Sequence, residues 1–315
     1  MKIVFLDIKT VGSVPYLQKL GELGEFISYP LTPRDKVIER LQHTDIVITN
    51  KVVIDKTIMD ACSNLKLICV AATGTNNIDL DYARKKEITV KNVAGYSTES
   101  VAQSTFAMLL YLMNKLNYYD TYVKSGEYSK SDIFTHHGRT INELNGKIFG
   151  IIGLGTIGRR VAEIASVFGS NVIYYSTSGM YRKNQKFKHV ELDELLKTAD
   201  VVSIHCPLNK RTQGMIDLQK LSLMKSSSIL LNMGRGGIVN ENDLAHVIDE
   251  EIIAGAGIDV LINEPINSDN PLLKVHQKEH LIITPHIAWA SVESRTELID
   301  QIYQNIKLFI NQKIR

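Results

Sequence analysis

The chain has 315 residues, of which 44% are hydrophobic and 22% are charged. At about 150 residues per domain this length predicts two domains or one large one, and the composition is that of a globular protein whose core needs no disulfide or metal support. Because 36 basic and 34 acidic residues leave a formal net charge of +2, the whole-chain charge gives no reason to expect nucleic acid or an acidic membrane as partner.

Cysteine usage and apolar segments in the sequence indicate the compartment of the protein. The cysteines Cys62, Cys69 and Cys206 form no Cys-x-x-Cys pair, and the opening MKIVFLDIKT reads as a short strand rather than a signal peptide. The longest apolar run, Phe106 to Met113, is shorter than the ~20 residues that a membrane helix needs. We therefore expect a soluble, cytoplasmic protein in a reducing compartment.

Short β-branched runs alternate with amphipathic segments along the chain. Several runs are apolar at consecutive positions, which is typical of strands buried on both faces of a parallel sheet. The predicted strands are Ile3–Leu6, Ile46–Thr49, Leu67–Ala71, Ile148–Ile152, Val172–Tyr175, Val201–Ile204, Ile229–Leu231, Ala256–Val260 and Leu281–Thr284. This order of elements predicts an α/β fold with a doubly wound parallel sheet.

The segments between the runs predict helices. The clearest are Thr156–Phe168 and Glu241–Asp249, the second with Asn240 as its N-cap. Ser100–Leu116 is apolar nearly all round, so we expect it to be buried against another domain or another subunit. The last helix, about Glu293–Phe309, follows a complete set of strands and could pack back on the N-terminal unit.

A Gly-x-Gly-x-x-Gly motif follows the predicted strand Ile148–Ile152 and opens the next helix. In this strand–turn–helix context Gly153 permits a tight turn, Gly155 lets the backbone approach a pyrophosphate, and Gly158 lets helix and strand pack closely. The helix N-terminus then attracts the anion. A glycine turn without a ligand is the alternative, but this context favours a dinucleotide site.

The residue that should read the adenosine ribose is Ser176, at the end of the next strand, followed by Thr177. An NAD site usually has an Asp or Glu there. Without that carboxylate nothing repels a 2′-phosphate, and Arg182 and Lys183 lie just downstream. The expected cofactor is therefore NAD or NADP. The alternative is that this loop makes only weak contacts, so that either cofactor binds.

Three polar side chains lie just past three predicted strand ends: Arg235, Glu264 and His286. Ligands in such sheets bind at the carboxyl ends of strands. A histidine is the usual proton donor near neutral pH, a carboxylate can hold its ring, and an arginine presents a planar fork to carboxylate and carbonyl oxygens. This set suits hydride transfer between a nicotinamide and a 2-keto acid. Singly, each has a plainer interpretation as a surface arginine, a loop carboxylate or a structural histidine.

The remaining histidines that stand out are His136, His137 and His205, which lie beside no ligand-like pattern. We interpret them as structural or surface residues and expect no metal site.

Taken together, the motifs resemble those of the D-isomer-specific 2-hydroxyacid dehydrogenases over nearly the whole chain. The matching stretches are Ala72–Asp79, Asn92–Ser97, Leu144–Lys147, the glycine motif, His205–Leu208, Asn232–Gly237, Gly257–Val260 and Pro285–His286. The resemblance implies a Rossmann-type domain, 99–287, inserted into a smaller flavodoxin-like substrate domain, 1–98 plus 288–315. It also implies a homodimer in which the helix Val101–Leu116 takes part.

The resemblance also assigns roles to residues. It implies that Arg235 binds substrate, that His286 is the acid/base, and that Glu264 pairs with His286. Substrate contacts are further expected at Lys51, beside Asn50, at the backbone amides of Thr73 and Gly74, and at Trp289. Cofactor contacts beyond those already named are expected at Thr156, Ile157, Pro207, Met233, Gly234, Asp259 and Thr105.

Within the family, the runs GTNNID and NVAGYST and Trp289 look most like the glycerate dehydrogenase/hydroxypyruvate reductase branch. A bulky Trp289 favours a small substrate, although it could instead be an interface aromatic. Formate dehydrogenases of this fold carry a glutamine in place of Glu264. The expected function is reduction of a small 2-keto acid, with hydroxypyruvate/D-glycerate or glyoxylate as substrate. The alternative is a dinucleotide-sensing, protein-binding regulator of the corepressor type.

Overall fold

The computed structural model describes residues 1–180 and 186–314. The chain forms two compact units, one made of Met1–Ser97 with Trp289–Arg315 and the other of Thr98–Ala288. Each unit has its own parallel sheet with helices. The predicted α/β class with a doubly wound sheet is confirmed.

The strands and helices are numbered in chain order. The strands are β1 Lys2–Phe5, β2 Glu25–Ser28, β3 Ile46–Thr49, β4 Leu67–Val70, β5 Thr89–Lys91, β6 Ile148–Ile152, β7 Asn171–Tyr175, β8 Lys188–His189, β9 Val201–Ile204, β10 Ile229–Asn232, β11 Gly255–Ile258 and β12 Leu281–Ile283. The α-helices are α1 Val37–Leu41, α2 Lys56–Ala61, α3 Leu80–Lys85, α4 Thr98–Met113, α5 Leu116–Lys124, α6 Thr156–Val167, α7 Leu192–Thr198, α8 Leu218–Leu221, α9 Glu241–Asp249 and α10 Val292–Ile314.

The first unit is built on a sheet with the order β2-β1-β3-β4-β5, in which every pair of neighbours is parallel. This is the flavodoxin-like order. Strands β3 and β4 are buried along their whole length, because apolar residues cover both faces of the sheet. Helix α10 packs on one face through Leu298, Ile302 and Ile306, so the C-terminal segment completes the core of the first unit.

The second unit is built on a seven-stranded parallel sheet with the order β12-β11-β10-β9-β6-β7-β8. Counted from β6, this is the Rossmann order with one strand added, and the order reverses between β6 and β9. Ligands bind at such a switch point, beyond the carboxyl ends of the strands. The Gly153 loop, which follows β6, lies there.

The apolar helix of the sequence prediction differs from the structure in its bounds. Helix α4 ends at Met113, and Lys115 adopts a left-handed conformation with φ of +51° before α5 begins. The apolar side chains of α4 pack inside the second unit: Phe106 stacks on Phe168, and Met108 lies beside Gly257 of β11. Burial against its own sheet therefore accounts for the apolar composition of α4.

Among the helices that the structure describes, none is both long and apolar enough to cross a membrane.

Candidate active site

The three glycines of the motif have different surroundings. Gly153 has a φ of +95°, and a Cβ there would lie 2.8 Å from the backbone nitrogen of Cys206. A Cβ on Gly158 would lie 2.2 Å from the carbonyl oxygen of Gly153. At Gly155 a Cβ would meet no atom within 4 Å. The outer glycines are thus required by packing, and the middle one leaves open space beside the backbone.

Helix α6 begins at this open space, with Gly155 as its N-cap and Thr156 and Ile157 in its first turn. No side chain of the described residues caps this end. The first N–H groups of a helix have no intrahelical acceptor and carry the positive end of its dipole. The loop therefore fits a dinucleotide, whose pyrophosphate these N–H groups would hold.

The strand end that should bind the adenosine ribose carries Ser176, which is buried. Its hydroxyl oxygen accepts a hydrogen bond from the N–H of Gly179 at 3.1 Å, closing a tight turn after β7. Thr177 follows in this turn. The positions Arg182 and Lys183, which suggested NADP, lie outside the described residues.

Further residues expected to contact the cofactor lie around the Gly153 loop. A Cβ on Gly234 would lie 2.8 Å from the carbonyl oxygen of Cys206, so the turn that contains Met233 packs against the segment that leads into Pro207. Thr212 donates a hydrogen bond to the carbonyl oxygen of Pro207 at 2.7 Å and fixes that segment.

Thr105, which was also expected to contact the cofactor, is fully buried. Its hydroxyl donates within α4 to the carbonyl oxygen of Val101 at 2.7 Å.

His286 and Glu264 are in direct contact. The imidazole Nδ1 lies 2.7 Å from Glu264 Oε2, and the two side chains are 21% and 30% exposed. The other carboxylate oxygen of Glu264 accepts the N–H of Leu261 at 3.1 Å. The carboxylate is thus anchored to the backbone on one side and orients the histidine ring on the other, which leaves Nε2 for a ligand.

Arg235 lies on a turn next to the segment that carries Glu264. The turn follows β10, and Asn232 closes it by donating from Nδ2 to the carbonyl oxygen of Arg235 at 3.1 Å. A Cβ on Gly236 would lie 2.0 Å from backbone atoms of Leu261, so only glycine permits this approach. The guanidinium of Arg235 is half-buried and donates to the carbonyl oxygen of Gly234 at 2.8 Å.

Asp259 has a different place from the one that the sequence predicted. Strand β11 ends at Ile258, so Asp259 is the first residue beyond the strand and not part of it. Its backbone oxygen accepts the N–H of His286 at 2.9 Å. Its carboxylate accepts the Thr284 hydroxyl at 2.5 Å and the N–H groups of Ile287 and Ala288 at 2.9 and 3.0 Å. Burial raises the pKa of this carboxyl group.

These bonds hold the His286 turn, in which His286 has a left-handed φ of +55°. Such a conformation in a non-glycine residue persists when its surroundings fix it. Sequence reasoning missed this supporting role of Asp259 and Thr284, although both residues follow strands that end at the same edge.

His205, which was interpreted as structural, lies at the end of β9 close to the glycine loop. Its Nε2 is 2.8 Å from the hydroxyl of Ser203, and burial lowers its pKa to about 3. Its buried Nδ1 has no hydrogen-bond partner among the described residues. Burial therefore favours the neutral form of the ring.

The first unit carries the other residues expected to bind substrate. Lys51 is exposed on the loop after β3. Thr73 follows β4 and donates its hydroxyl to the carbonyl oxygen of Val93 at 3.0 Å, whereas no acceptor in the described part of the chain takes the N–H of Thr73 or Gly74. Trp289 packs edge-on against Tyr96, with ring centroids 6.1 Å apart.

Within residues 1–180 and 186–314, no group of three His, Cys, Asp or Glu side chains is placed to hold a metal ion.

Comparisons with known proteins identify the family of the chain. The family model described as "D-isomer specific 2-hydroxyacid dehydrogenase, NAD binding domain" matches residues 106–288, more than half of the chain. The chain is 36% identical to a hydroxypyruvate reductase of Blautia hydrogenotrophica, over 98% of this chain and 97% of that protein.

Two solved structures are similar over the whole chain. An acyclic imino acid reductase in complex with NADPH and D-Arg superposes with a TM-score of 0.86 at 31% identity, covering 99% of this chain and 98% of that one. A D-lactate dehydrogenase from Aquifex aeolicus, complexed with NAD and lactic acid, does so with a TM-score of 0.86 at 30% identity, covering 100% and 96%. The chain therefore belongs to the D-isomer specific 2-hydroxyacid dehydrogenase family and is an NAD(P)-dependent oxidoreductase that transfers a hydride between a nicotinamide cofactor and a 2-hydroxy acid or 2-keto acid.

Proposed function

We propose that His286, Glu264 and Arg235 carry out the chemistry of this reaction. The observation that carries the proposal is the 2.7 Å contact between His286 Nδ1 and Glu264, beside the turn of Arg235. When bound, the nicotinamide supplies the hydride for reduction and accepts it in oxidation. In reduction, His286 donates its Nε2 proton to the substrate's carbonyl oxygen, and in oxidation it takes the proton back.

Glu264 acts on the proton rather than on the substrate. It accepts the Nδ1–H of the histidine, so it fixes the tautomer in which Nε2 faces the substrate, and its charge stabilises the imidazolium form. Arg235 binds the keto acid with its guanidinium fork and orients the carbonyl group. The support for this role is that the turn of Arg235 packs against Leu261, in the segment that carries Glu264.

We propose that the second unit is the dinucleotide-binding domain and that the first is the substrate domain. In the second, the N–H groups at the start of α6 hold the pyrophosphate of the cofactor. In the first, the ammonium group of Lys51 and the backbone N–H groups of Thr73 and Gly74 bind the substrate's carboxylate. The support is that both loops follow strands at the carboxyl edge of the first sheet.

We propose hydroxypyruvate as the substrate, with D-glycerate as the product of reduction and glyoxylate as a second keto acid. The similarity to a hydroxypyruvate reductase supports this choice. The indole of Trp289, which packs on the core of the first unit, favours a small substrate.

For the cofactor, we propose that the enzyme accepts NADPH as well as NADH, because Ser176 stands where a carboxylate would repel the 2′-phosphate. Similar structures contain NADPH in one case and NAD in the other. Ser176→Asp should raise the KM for NADPH about tenfold or more and leave the KM for NADH within about twofold.

We also propose that the enzyme is a cytoplasmic homodimer. The segment after α4 exposes apolar side chains, among them Phe134 at 90% and Ile133 at 60%. Light scattering after gel filtration measures the assembly mass, and a mass of one chain at micromolar concentration contradicts the dimer.

Initial rates of NADH and NADPH consumption with hydroxypyruvate, glyoxylate and pyruvate test the reaction. We expect the highest kcat/KM with hydroxypyruvate. Cofactor binding without turnover of any keto acid would contradict the proposed chemistry and favour a sensor of the corepressor type.

A further inference from the structure

Asp7 lies at the carboxyl edge of the first sheet, two residues beyond the end of β1, and its side chain is buried. Its carboxylate accepts hydrogen bonds from three consecutive backbone N–H groups of the loop after β3. Oδ1 lies 2.9 Å from the nitrogen of Asn50, and Oδ2 lies 2.6 Å from that of Lys51 and 3.3 Å from that of Val52. A buried carboxylate thus fills the concave surface that these N–H groups form.

Consecutive N–H groups that converge on one point form an anion-binding nest. In this loop the protein's own carboxylate occupies the nest, so these N–H groups are not available to a substrate carboxylate. What the loop can offer to an anion is the side chain of Lys51. The position of that side chain depends on how firmly its backbone is held.

The same loop is also held through its carbonyl groups. Asn77 donates from Nδ2 to the carbonyl oxygen of Val52 at 3.0 Å and to that of Asn50 at 3.4 Å. The side chain of Asn50 in turn donates to the hydroxyl of Thr10 at 3.1 Å. N–H and carbonyl groups on both sides of Lys51 are therefore fixed by side chains from other segments, with Asp7 making most of the bonds.

We propose that Asp7 is a positioning residue for substrate binding: by filling the nest it fixes the backbone of Lys51, so that the ammonium group meets the carboxylate of the 2-keto acid. This inference rests on the proposed function of Lys51. Asp7 itself does not touch the substrate, and its negative charge is shielded from it by the N–H groups that it binds.

Asp7→Asn tests the proposal. Asparagine keeps one acceptor oxygen but places an NH₂ group against an N–H of the loop, which loosens the nest without changing side-chain size. We expect the KM for hydroxypyruvate to rise about tenfold, because the charge-assisted contact from Lys51 is mostly lost. The kcat and the Kd for NADH, measured by fluorescence quenching, should change less than about twofold.

Asp45→Asn is the matched control. Asp45 also lies next to a strand of the first sheet and also accepts a backbone N–H, that of Lys2 at 2.9 Å, but it precedes β3 and so lies at the amino edge. A general loss of packing would affect both variants alike. We expect Asp45→Asn to lower the melting temperature and leave the KM unchanged.

Lys51→Met separates this inference from the proposed function. We expect it to raise the KM about tenfold to a hundredfold, and we expect Asp7→Asn to add nothing in the double variant, since both changes remove the same contact. An unchanged KM in Lys51→Met overturns the role of Lys51 and this inference with it. If the KM rises in Lys51→Met but not in Asp7→Asn, the inference about Asp7 is overturned and the role of Lys51 stands. Additive effects in the double variant have the same meaning.

A second variant serves if Asp7→Asn does not fold. Asn77→Ala releases the carbonyl groups of the same loop and should raise the KM for hydroxypyruvate about threefold to tenfold, again without a change in NADH binding. An unchanged KM in this variant contradicts the proposal.

Discussion

Replacing Glu264 by glutamine should slow the oxidation of the 2-hydroxy acid. Glutamine keeps the acceptor for the N–H of Leu261, 3.1 Å away, but it removes the negative charge next to His286. A charge-assisted hydrogen bond at 2.7 Å is worth roughly 1.5–3 kcal/mol, and the partial exposure of both side chains reduces this to about 1.5 kcal/mol. Since about 1.4 kcal/mol is a factor of ten in rate, the change corresponds to about a tenfold loss of rate.

The direction follows from the charge that His286 gains. In oxidation His286 takes up the proton of the substrate's hydroxyl group and becomes an imidazolium, which the Glu264 carboxylate stabilises. We therefore expect kcat/KM for the oxidation of D-glycerate to fall about tenfold in Glu264→Gln.

Initial rates of NAD reduction with D-glycerate at one fixed pH measure this loss. Glu279→Gln is the control, because Glu279 pairs with Arg139 at 3.0 Å elsewhere in the same unit. Equal kcat/KM values for Glu264→Gln and the unmodified enzyme would refute the role given to Glu264.

Two further predictions concern the glycine loop and the strand beside it. Gly155→Ala should weaken NADH binding about tenfold or more, measured by titration, and leave the melting temperature unchanged. Gly158→Ala should lower the free energy of unfolding by about 3 kcal/mol, measured by thermal unfolding, because its Cβ would lie 2.2 Å from a carbonyl oxygen. Equal melting temperatures for the two variants contradict this assignment. His205 stays neutral in the folded chain with a pKa of about 3 but takes up a proton near pH 6.5 when unfolded, so stability falls as the pH drops below about 6.5, by about 2 kcal/mol at pH 5. In His205→Gln, which keeps a donor for Ser203, the decrease in melting temperature from pH 7.5 to pH 5 should be smaller, and an equal decrease contradicts the reasoning.

The sequence predicted the strand ends of the second unit well, for a physical reason. Parallel strands end at one edge, so polar residues that follow neighbouring strands must come close together. Glu264 and His286 lie 2.7 Å apart, the turn of Arg235 packs against Leu261 in the segment that carries Glu264, and the glycine motif lies at the switch point of the same sheet.

Other features left little trace in the sequence. Strands β2, β5 and β8 lie at or next to sheet edges and lack a long buried apolar run, which is the signal that identified the central strands. The break between α4 and α5 contains neither glycine nor proline, so the sequence gives no sign of it. Lys115 adopts the left-handed conformation there. Asp7 gave no signal because its partners lie more than 40 residues away along the chain.

Asp259 was placed inside a strand because apolar residues flank it on both sides. In the structure its carboxylate binds the N–H groups of the His286 turn, and the chain leaves the sheet one residue earlier. Local hydrophobicity does not reveal such a non-local requirement for a hydrogen-bond acceptor.

The hydrogen bond from the Ser100 hydroxyl to the carbonyl oxygen of Ala288, at 2.6 Å, has a consequence for folding. It joins the first helix of the second unit to that unit's last residue, so the inserted segment begins and ends at one place. Before this unit folds, bringing together the two separated pieces of the first unit means closing a loop of about 190 residues, at an entropic cost of about 5 kcal/mol. Once the second unit has folded, its two chain ends lie together, so the N-terminal and C-terminal pieces of the first unit start from one place. Formation of the first unit's core, which needs α10 from the C-terminal piece, is therefore favoured after the inserted unit has folded, and destabilising the second unit also weakens the first.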